Sequence, residues 1–272
     1  VRGIHARFAL MRTNMTDPYT GDLKAGLNRR IQAYLRAHAL RMADHERIGP
    51  FLASFDGGSD NPYRNYAVPD DGASPGAFEI DALVTAFARR ARLPRLEYVG
   101  DAAPKVEPAL LAKGFDVEKR FPLLVCVPGM LRDTHAAGIG IEQAEHESDI
   151  IAAAEVGAEA YGGDVYVEPL RRLVVQGGVL MIARDPTTGR VIGAGMATPA
   201  HDATSEVAGI GVGMAWRRRG VAGALTAALA REAFARGGTL AWLTPGHDSA
   251  ERIYARAGFV RASEQLHISK RA

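Results

Sequence analysis

The chain has 272 residues, 47% of them hydrophobic and 24% charged, with a formal net charge of +2. That length accommodates two domains of ordinary size, and the composition is that of a soluble globular protein. A near-neutral chain has no overall pull toward nucleic acid or an anionic bilayer, and no apolar run approaches the ~20 residues needed to span one.

In chain order, residues 1–20 are charged throughout and lack the apolar core of a secretory leader. Leu23, Leu27, Ile31, Leu35 and Leu40 recur at close to helical spacing, which predicts a helix from 23 to about 47 stopped by Gly49-Pro50. Strands are predicted at 51–55 and 64–68, with the turn Asp56-Gly57-Gly58-Ser59-Asp60 between them. A loop over 69–76 leads to a helix over 77–92, a strand at 96–99, a short helix ending at Gly114, and one or two strands within 115–127. The lone cysteine, Cys126, sits in the apolar run Leu123-Leu124-Val125-Cys126-Val127 and reads as core. No Cys or His cluster has metal-ligand spacing, so no metal is expected, and the cysteine usage favours the cytoplasm. Residues 128–138 read as a linker.

Beyond it, Ile139 to Glu142 opens a strand, Ser148 is placed to cap a helix running to about Ala160, and 165–175 reads as a helix ended by Gly177-Gly178. Residues 179–184 and 191–198 form a hairpin across Asp185-Pro186-Thr187-Thr188-Gly189, with Gly193 and Gly195 marking close packing or a bulge. Glu206 to Val212 is a strand, Gly213 to Trp216 a turn, and Arg217 to Ala222 opens a helix with the apolar stripe Val221, Leu225, Ala228 and Leu229. Thr239 to Leu243 has the continuous apolar character of a buried strand. Asp248 and Glu251 are spaced as a capping box for a helix that carries Ala250, Ile253, Tyr254 and Ala257 on one face. Gly258 ends it, and the chain returns as a strand to Ser269.

A strand that feeds a glycine-containing basic turn and then a helix start is a place to hold a phosphate. The first helical N–H groups have no internal partner, and the helix dipole adds partial positive charge there. Gly220 lets a ligand approach the backbone without a Cβ in the way, and Arg217, Arg218 and Arg219 raise the local potential. Taken alone, the same run reads equally as a solvated basic loop.

Val212 followed by Arg217-x-x-Gly220-x-Ala222 resembles the acyl-CoA pyrophosphate loop of the GNAT family of N-acyltransferases. Downstream, Ala250-x-x-Ile253-Tyr254-Ala255-Arg256-Ala257-Gly258-Phe259 is similar to the last helix of that family. The resemblance covers residues 139–272; it departs from the family pattern at Met214, where Pro is frequent, and at His247, where Asn is frequent. It implies an α/β fold with a mixed sheet and an acyl-CoA-dependent N-acyltransferase of the EC 2.3.1 class that uses acetyl-CoA as donor and no metal. It also implies that strand 206–212 splays from its neighbour. The pantetheine arm then pairs with backbone at Ile210, Gly211 and Val212, and an N–H near Val212 polarises the thioester carbonyl. Arg217, Arg218, Arg219, Gly220, Val221 and Ala222 would take the pyrophosphate, and His247 and Ser249 would also contact the cofactor. Tyr254 matches the family's tyrosine, which can protonate the departing thiolate; a phenol of pKa ~10 can donate to a thiolate whose conjugate acid is near ~8.5. Glu206 is placed to relay the ammonium proton through water, with His201 and His247 as rival bases. The bland alternatives are a core tyrosine and a solvated strand-end glutamate.

The N-terminal half repeats this plan. At a shift of 144 residues Gly114-Phe115 falls on Gly258-Phe259, Leu96 to Tyr98 on Leu240 to Trp242, Val68 on Val212, and Gly76 on Gly220. This copy lacks the chemistry. Ala73 stands opposite Arg217, Pro75 opposite Arg219 and Leu110 opposite Tyr254, while Asp70 and Asp71 would repel a pyrophosphate. The sequence therefore predicts two tandem GNAT-like domains, a degenerate non-catalytic one over 1–130 and a catalytic one over 137–272. The expected function is transfer of an acetyl group from acetyl-CoA to a primary amine of a small molecule or peptide. The alternative is a non-catalytic acyl-CoA-binding or sensing module. Neither nucleic acid nor membrane is an expected partner, and the acceptor and oligomeric state stay open.

Overall fold

The structure, a computed structural model, describes residues 21–271. The reading of residues 1–20 lies outside them. The described chain forms a mixed α/β fold of two compact units, one made of residues 21–123 with 262–271 and the other of residues 124–261. These are not the 1–130 and 137–272 read from the sequence, because each unit takes its last strand from the other half of the chain.

The first unit starts with α1 (Gly21–Leu40), which buries Leu27, Ile31, Tyr34 and Leu35. The expected continuation of this helix to about 47 does not occur. Asp44–Ile48 is instead strand β1, hairpinned across Gly49-Pro50 to β2 (Phe51–Phe55), with Gly49 at φ +50°. Its charged residues, which read as a helix surface, are held along the strand by arginines. Arg90 donates to Asp44 at 2.9 Å and Arg89 to Glu46 at 2.8 Å. Strand β3 (Tyr66–Pro69) follows a single 3₁₀ turn at Pro62–Arg64, which delays its predicted start. Next come α2 (Ala77–Ala88), β4 (Arg95–Val99), α3 (Val106–Leu111) and β5 (Asp116–Cys126). Strands β1, β2 and β3 pair antiparallel in turn, and β3 pairs parallel to β4.

The second unit contains β6 (Gly140–Gln143), α4 (Glu147–Tyr161), α5 (Glu168–Val175), β7 (Val179–Arg184), β8 (Val191–Ala197) and β9 (Thr204–Val212). It continues through α6 (Val221–Ala235), β10 (Leu240–Leu243) and α7 (Asp248–Arg256), and the chain then enters β11 (Val260–Ser269). Strands β6 to β9 are antiparallel, and β9 pairs parallel to β10.

The exchange is in the last strands. Residues Gln265 to Ser269 of β11 pair with Val99 to Arg95 of β4, which completes the first unit. Residues Leu124 to Cys126 of β5 pair with Leu243 to Ala241 of β10, which completes the second. Cys126 is fully buried there, and burial pushes its thiol up to about 12, so it stays protonated and unreactive.

Two helix caps differ from the sequence reading. Helix α4 is capped at His146 rather than Ser148, with the Asp149 carboxylate accepting the N–H groups of Glu145 and His146 at 3.2 Å. Helix α7 is capped by His247 rather than Asp248, and the His247 Nδ1 accepts the Ala250 N–H at 3.2 Å.

Helix α6 lies on β8, and the glycines of that strand allow the approach. A Cβ at Gly193 would stand 3.0 Å from Val221 Cγ1, and one at Gly195 3.0 Å from Leu229 Cδ1. Val221, Leu225 and Leu229 are buried against it, each worth roughly 1.5–3 kcal/mol of apolar transfer. This seating fixes the N-terminus of α6 beside the end of β9. Among the described residues no helix is long and apolar enough to cross a membrane.

Candidate active site

Strands β9 and β10 run side by side only briefly. Their ladder pairs Leu240 with Thr204, Ala241 with Ser205 and Trp242 with Glu206, and there it ends while β9 runs on to Val212. In the ladder to β8, Ala194 faces Gly211 and Met196 faces Ala208, so Gly195 stands opposite both Gly209 and Ile210. This is a β-bulge, with Gly209 at φ +61°, and it re-aims the backbone of Ile210 to Val212.

The turn after β9 is tied down at several points. The Met214 N–H donates to Glu159 Oε1 at 2.8 Å, and Arg217 Nε donates to the Val212 carbonyl at 3.1 Å. Arg218 and Gly220 both take left-handed conformations, φ +63° and +84°, and Gly220 is the N-cap of α6. The chain therefore turns twice within three residues, and the first N–H groups of α6 end in the turn without intrahelical acceptors. Residues read as linker pack beside it, with Thr134 Oγ1 donating to the Gly223 carbonyl at 2.6 Å.

A cavity of about 880 Å³ opens between these elements. It brings together eleven of the residues singled out from sequence: Ile210, Gly211, Val212, Arg217, Arg218, Gly220, Val221, Ala222, His247, Ser249 and Tyr254. Arg219 is not in its wall; its guanidinium lies 4.7 Å over the Trp216 ring. Glu206 is half-buried where the β9 and β10 ladder ends, outside the lining. His201 is held in the tight turn before β9, exchanging backbone hydrogen bonds of 2.9 Å with Thr204, and does not reach the cavity.

His247 has a defined tautomer. Its Nδ1 accepts from the Ala250 N–H and sits 2.7 Å from the Ser249 hydroxyl, which leaves the ring proton on Nε2. Tyr254 is half-buried in the wall, and burial raises its pKa above 10.0. At neutral pH it is a phenol with its proton in place.

The cavity also takes in residues that sequence reading passed over: Thr134, His135, Tyr161, Trp216, Arg252 and Arg256. Arg252 and Arg256 lie one turn apart on α7 and flank Tyr254, a spacing visible in the sequence. Tyr161 left no such signal, since it is the last residue of a helix far along the chain. With Arg217 and Arg218, four arginines line the cavity, and none of the described lining side chains is a carboxylate. The arrangement suits an elongated polyanion, with a helix N-terminus for phosphate and, for an extended amide chain, a length of β9 that has left its β10 ladder.

Residues 149–259 match the profile of the acetyltransferase (GNAT) family. No curated protein matches the chain. Among solved structures, the GCN5-related N-acetyltransferase from Kribbella flavida is similar at 27% identity and a TM-score of 0.78, over 90% of this chain and 96% of that one. The GCN5-related N-acetyltransferase from Sphaerobacter thermophilus shares the fold at 16% identity and a TM-score of 0.60, over 81% of this chain and 76% of that one. The profile match and the Kribbella likeness support an acetyltransferase of GNAT type in general terms.

Proposed function

We propose that the second unit is an N-acetyltransferase that takes acetyl-CoA as donor and transfers the acetyl group to a primary amine of a small molecule or peptide. The observation that carries this reading is the cavity wall itself: four arginines, no carboxylate among the described lining side chains, and the left-handed Gly220 opening a helix N-terminus into it. That donor set fits a pyrophosphate and a further phosphate on one ligand.

Acyl transfer breaks the C–S bond of the thioester and forms a C–N bond. It requires an amine that has lost a proton, donors for the developing oxyanion, and a proton for the leaving thiolate. In this reading the edge of β9 from Ile210 to Val212 aligns the arm and polarises the carbonyl. Tyr254 gives its proton to the thiolate. Glu206, at the point where the strands part, receives the amine proton through water. Arg252 and Arg256 add positive charge to that of Arg217 and Arg218.

The first unit is proposed to be a degenerate copy without catalysis. Its glycine at the matching helix start, Gly76, has φ −83° rather than a left-handed turn. Leu110 is fully buried, and the gap between its parallel strands is bridged by Gln32, which donates to the Pro69 carbonyl at 2.8 Å and accepts the Val99 N–H at 2.9 Å. Asp70 and Asp71 act differently from the sequence reading, since each pairs with an arginine, Arg47 and Arg36.

A thiol-release screen of acetyl-CoA against a panel of amines, run beside calorimetry with acetyl-CoA, tests the proposal. Binding with release of thiol on one amine is expected. Binding without turnover on any amine would make the protein a binding module instead, and no binding at all would end the reading.

A further inference from the structure

The Tyr161 hydroxyl donates a 2.8 Å hydrogen bond to the Ile210 carbonyl. Both residues line the cavity, and Ile210 sits in the bulge beyond the point where β10 leaves β9. Tyr161 is largely exposed as a residue, with its hydroxyl held on the Ile210 carbonyl. Burial and then the nearby Tyr254 push its pKa up to about 12, so it donates at any physiological pH.

The surroundings of Tyr161 are half anchored and half free. One residue earlier, Ala160 is locked, since its carbonyl accepts from Arg217 at 3.5 Å and a Cβ on Gly211 would stand 3.0 Å from its own Cβ. One residue later come Gly162 and Gly163, at φ +73° and +125°, with open space around both. The tyrosine is thus the last residue of α4, between a fixed turn of helix and a two-glycine joint.

We propose that Tyr161 is a latch on the Ile210 carbonyl, one that an extended ligand with amide N–H groups must displace and a ligand without them does not. Its hydroxyl occupies the strand carbonyl that an extended amide chain laid along β9 would use as acceptor. A ligand with such a donor takes over the carbonyl but must first break the Tyr161 bond, so the latch costs its binding about one net hydrogen bond. A ligand made of phosphates and nucleoside alone has nothing to offer that carbonyl and leaves the latch shut. The inference rests on the acyl-CoA reading, because the pantetheine arm is the amide chain in question.

Tyr161→Phe keeps the ring and its packing and removes only the donor. Trp216 lines the same cavity and reports occupancy by its fluorescence. The test is stopped-flow binding of acetyl-CoA and of adenosine 3′,5′-bisphosphate, which has phosphates but no arm, to the wild type and to this variant. Losing one net hydrogen bond from the ligand-free state should tighten acetyl-CoA about 2- to 10-fold, mainly through faster association. Affinity for the bisphosphate should not move. Tyr161→Leu, which also lacks the donor, should speed acetyl-CoA association in the same way, and unchanged melting temperatures show that both variants fold. Equal or weaker acetyl-CoA binding by Tyr161→Phe overturns the latch while leaving the acyl-CoA reading intact. Failure of the wild type to bind either ligand overturns that reading and the latch with it.

Discussion

A Cβ built on Gly220 would stand 2.9 Å from the carbonyl oxygen of His135. The residue that opens helix α6 is thus pressed against a stretch that the sequence presents as linker, and backbone cannot yield as a side chain end can. Gly220 also has φ +84°, a conformation that L-residues adopt only under strain. Gly220→Ala is expected to destabilise the second unit by about 1–2 kcal/mol and to weaken acetyl-CoA binding by roughly tenfold or more. Calorimetry and thermal melting check this together. A variant with wild-type affinity would mean that the turn does not hold the phosphates.

Tyr254 stands in the cavity wall with its proton retained by burial. Tyr254→Phe is expected to lower kcat by ~10²–10⁴-fold if thiolate departure limits turnover. The affinity for acetyl-CoA should change little, because the turn at 217–222 is untouched. Since the folded pKa lies above 10.0, any loss of rate that reflects ionisation of this phenol should appear only above pH 10. Steady-state kinetics across pH settles the role; a variant with wild-type kcat would remove Tyr254 as an essential acid.

The strand exchange makes a prediction about fragments. Residues 137–272 lack Leu124 to Cys126, the strand that pairs with β10, and also Thr134 and His135 of the cavity wall. They keep β11, whose fully buried Leu266 and Ile268 would lose the neighbour β4. This fragment should aggregate on expression, whereas residues 124–261 should be the more soluble of the two. Soluble yield and melting profiles decide it. A well-folded 137–272 fragment binding acetyl-CoA as tightly as the full chain would show that the exchanged strands are dispensable.

His267 should make the first unit acid-sensitive. It is buried on β11, and its Nδ1 accepts from Arg95 Nη2 at 2.8 Å. Burial, Arg95 and Lys119 lower its pKa from 6.5 to about 3, while Glu97 faces its Nε2 at 3.6 Å. Unfolded His267 takes up a proton near pH 6.5 and the folded residue does not until about pH 3, so stability falls as pH drops through that window. The loss by about pH 4.5 is on the order of 1–3 kcal/mol. Glu97, whose pKa burial raises, acts in the opposite direction and blunts the effect. His267→Gln retains an acceptor for Arg95 and should flatten this limb in pH-dependent denaturant melts; an unchanged slope would show that the histidine is not its source.

Much of this protein is decided locally and could therefore be read from the chain. Apolar patterning located α1, α6, β7 and β10, and the end of strand 206–212, the Arg217-to-Ala222 run and the Tyr254 helix with its cap contain eleven residues that line the cavity, because a turn and a helix face are set by residues close in sequence. Where local signals conflict, tertiary contact decided. Asp44–Ile48 has a helix-compatible surface pattern, yet it is a strand because β2 and two arginines from beyond α2 hold it there. The cap of α7 lies at His247 rather than Asp248 through a local contact that the Asp248 and Glu251 spacing did not reveal, the Ala250 N–H donating to His247 Nδ1. No local pattern could announce that Tyr161 meets Ile210, that His135 backs Gly220, or that β5 and β11 each finish the other half's sheet. Such contacts join residues tens to hundreds of positions apart, and they arise only when the strands pair and the helices seat on them, since burial and hydrogen-bond satisfaction are properties of the assembled sheet.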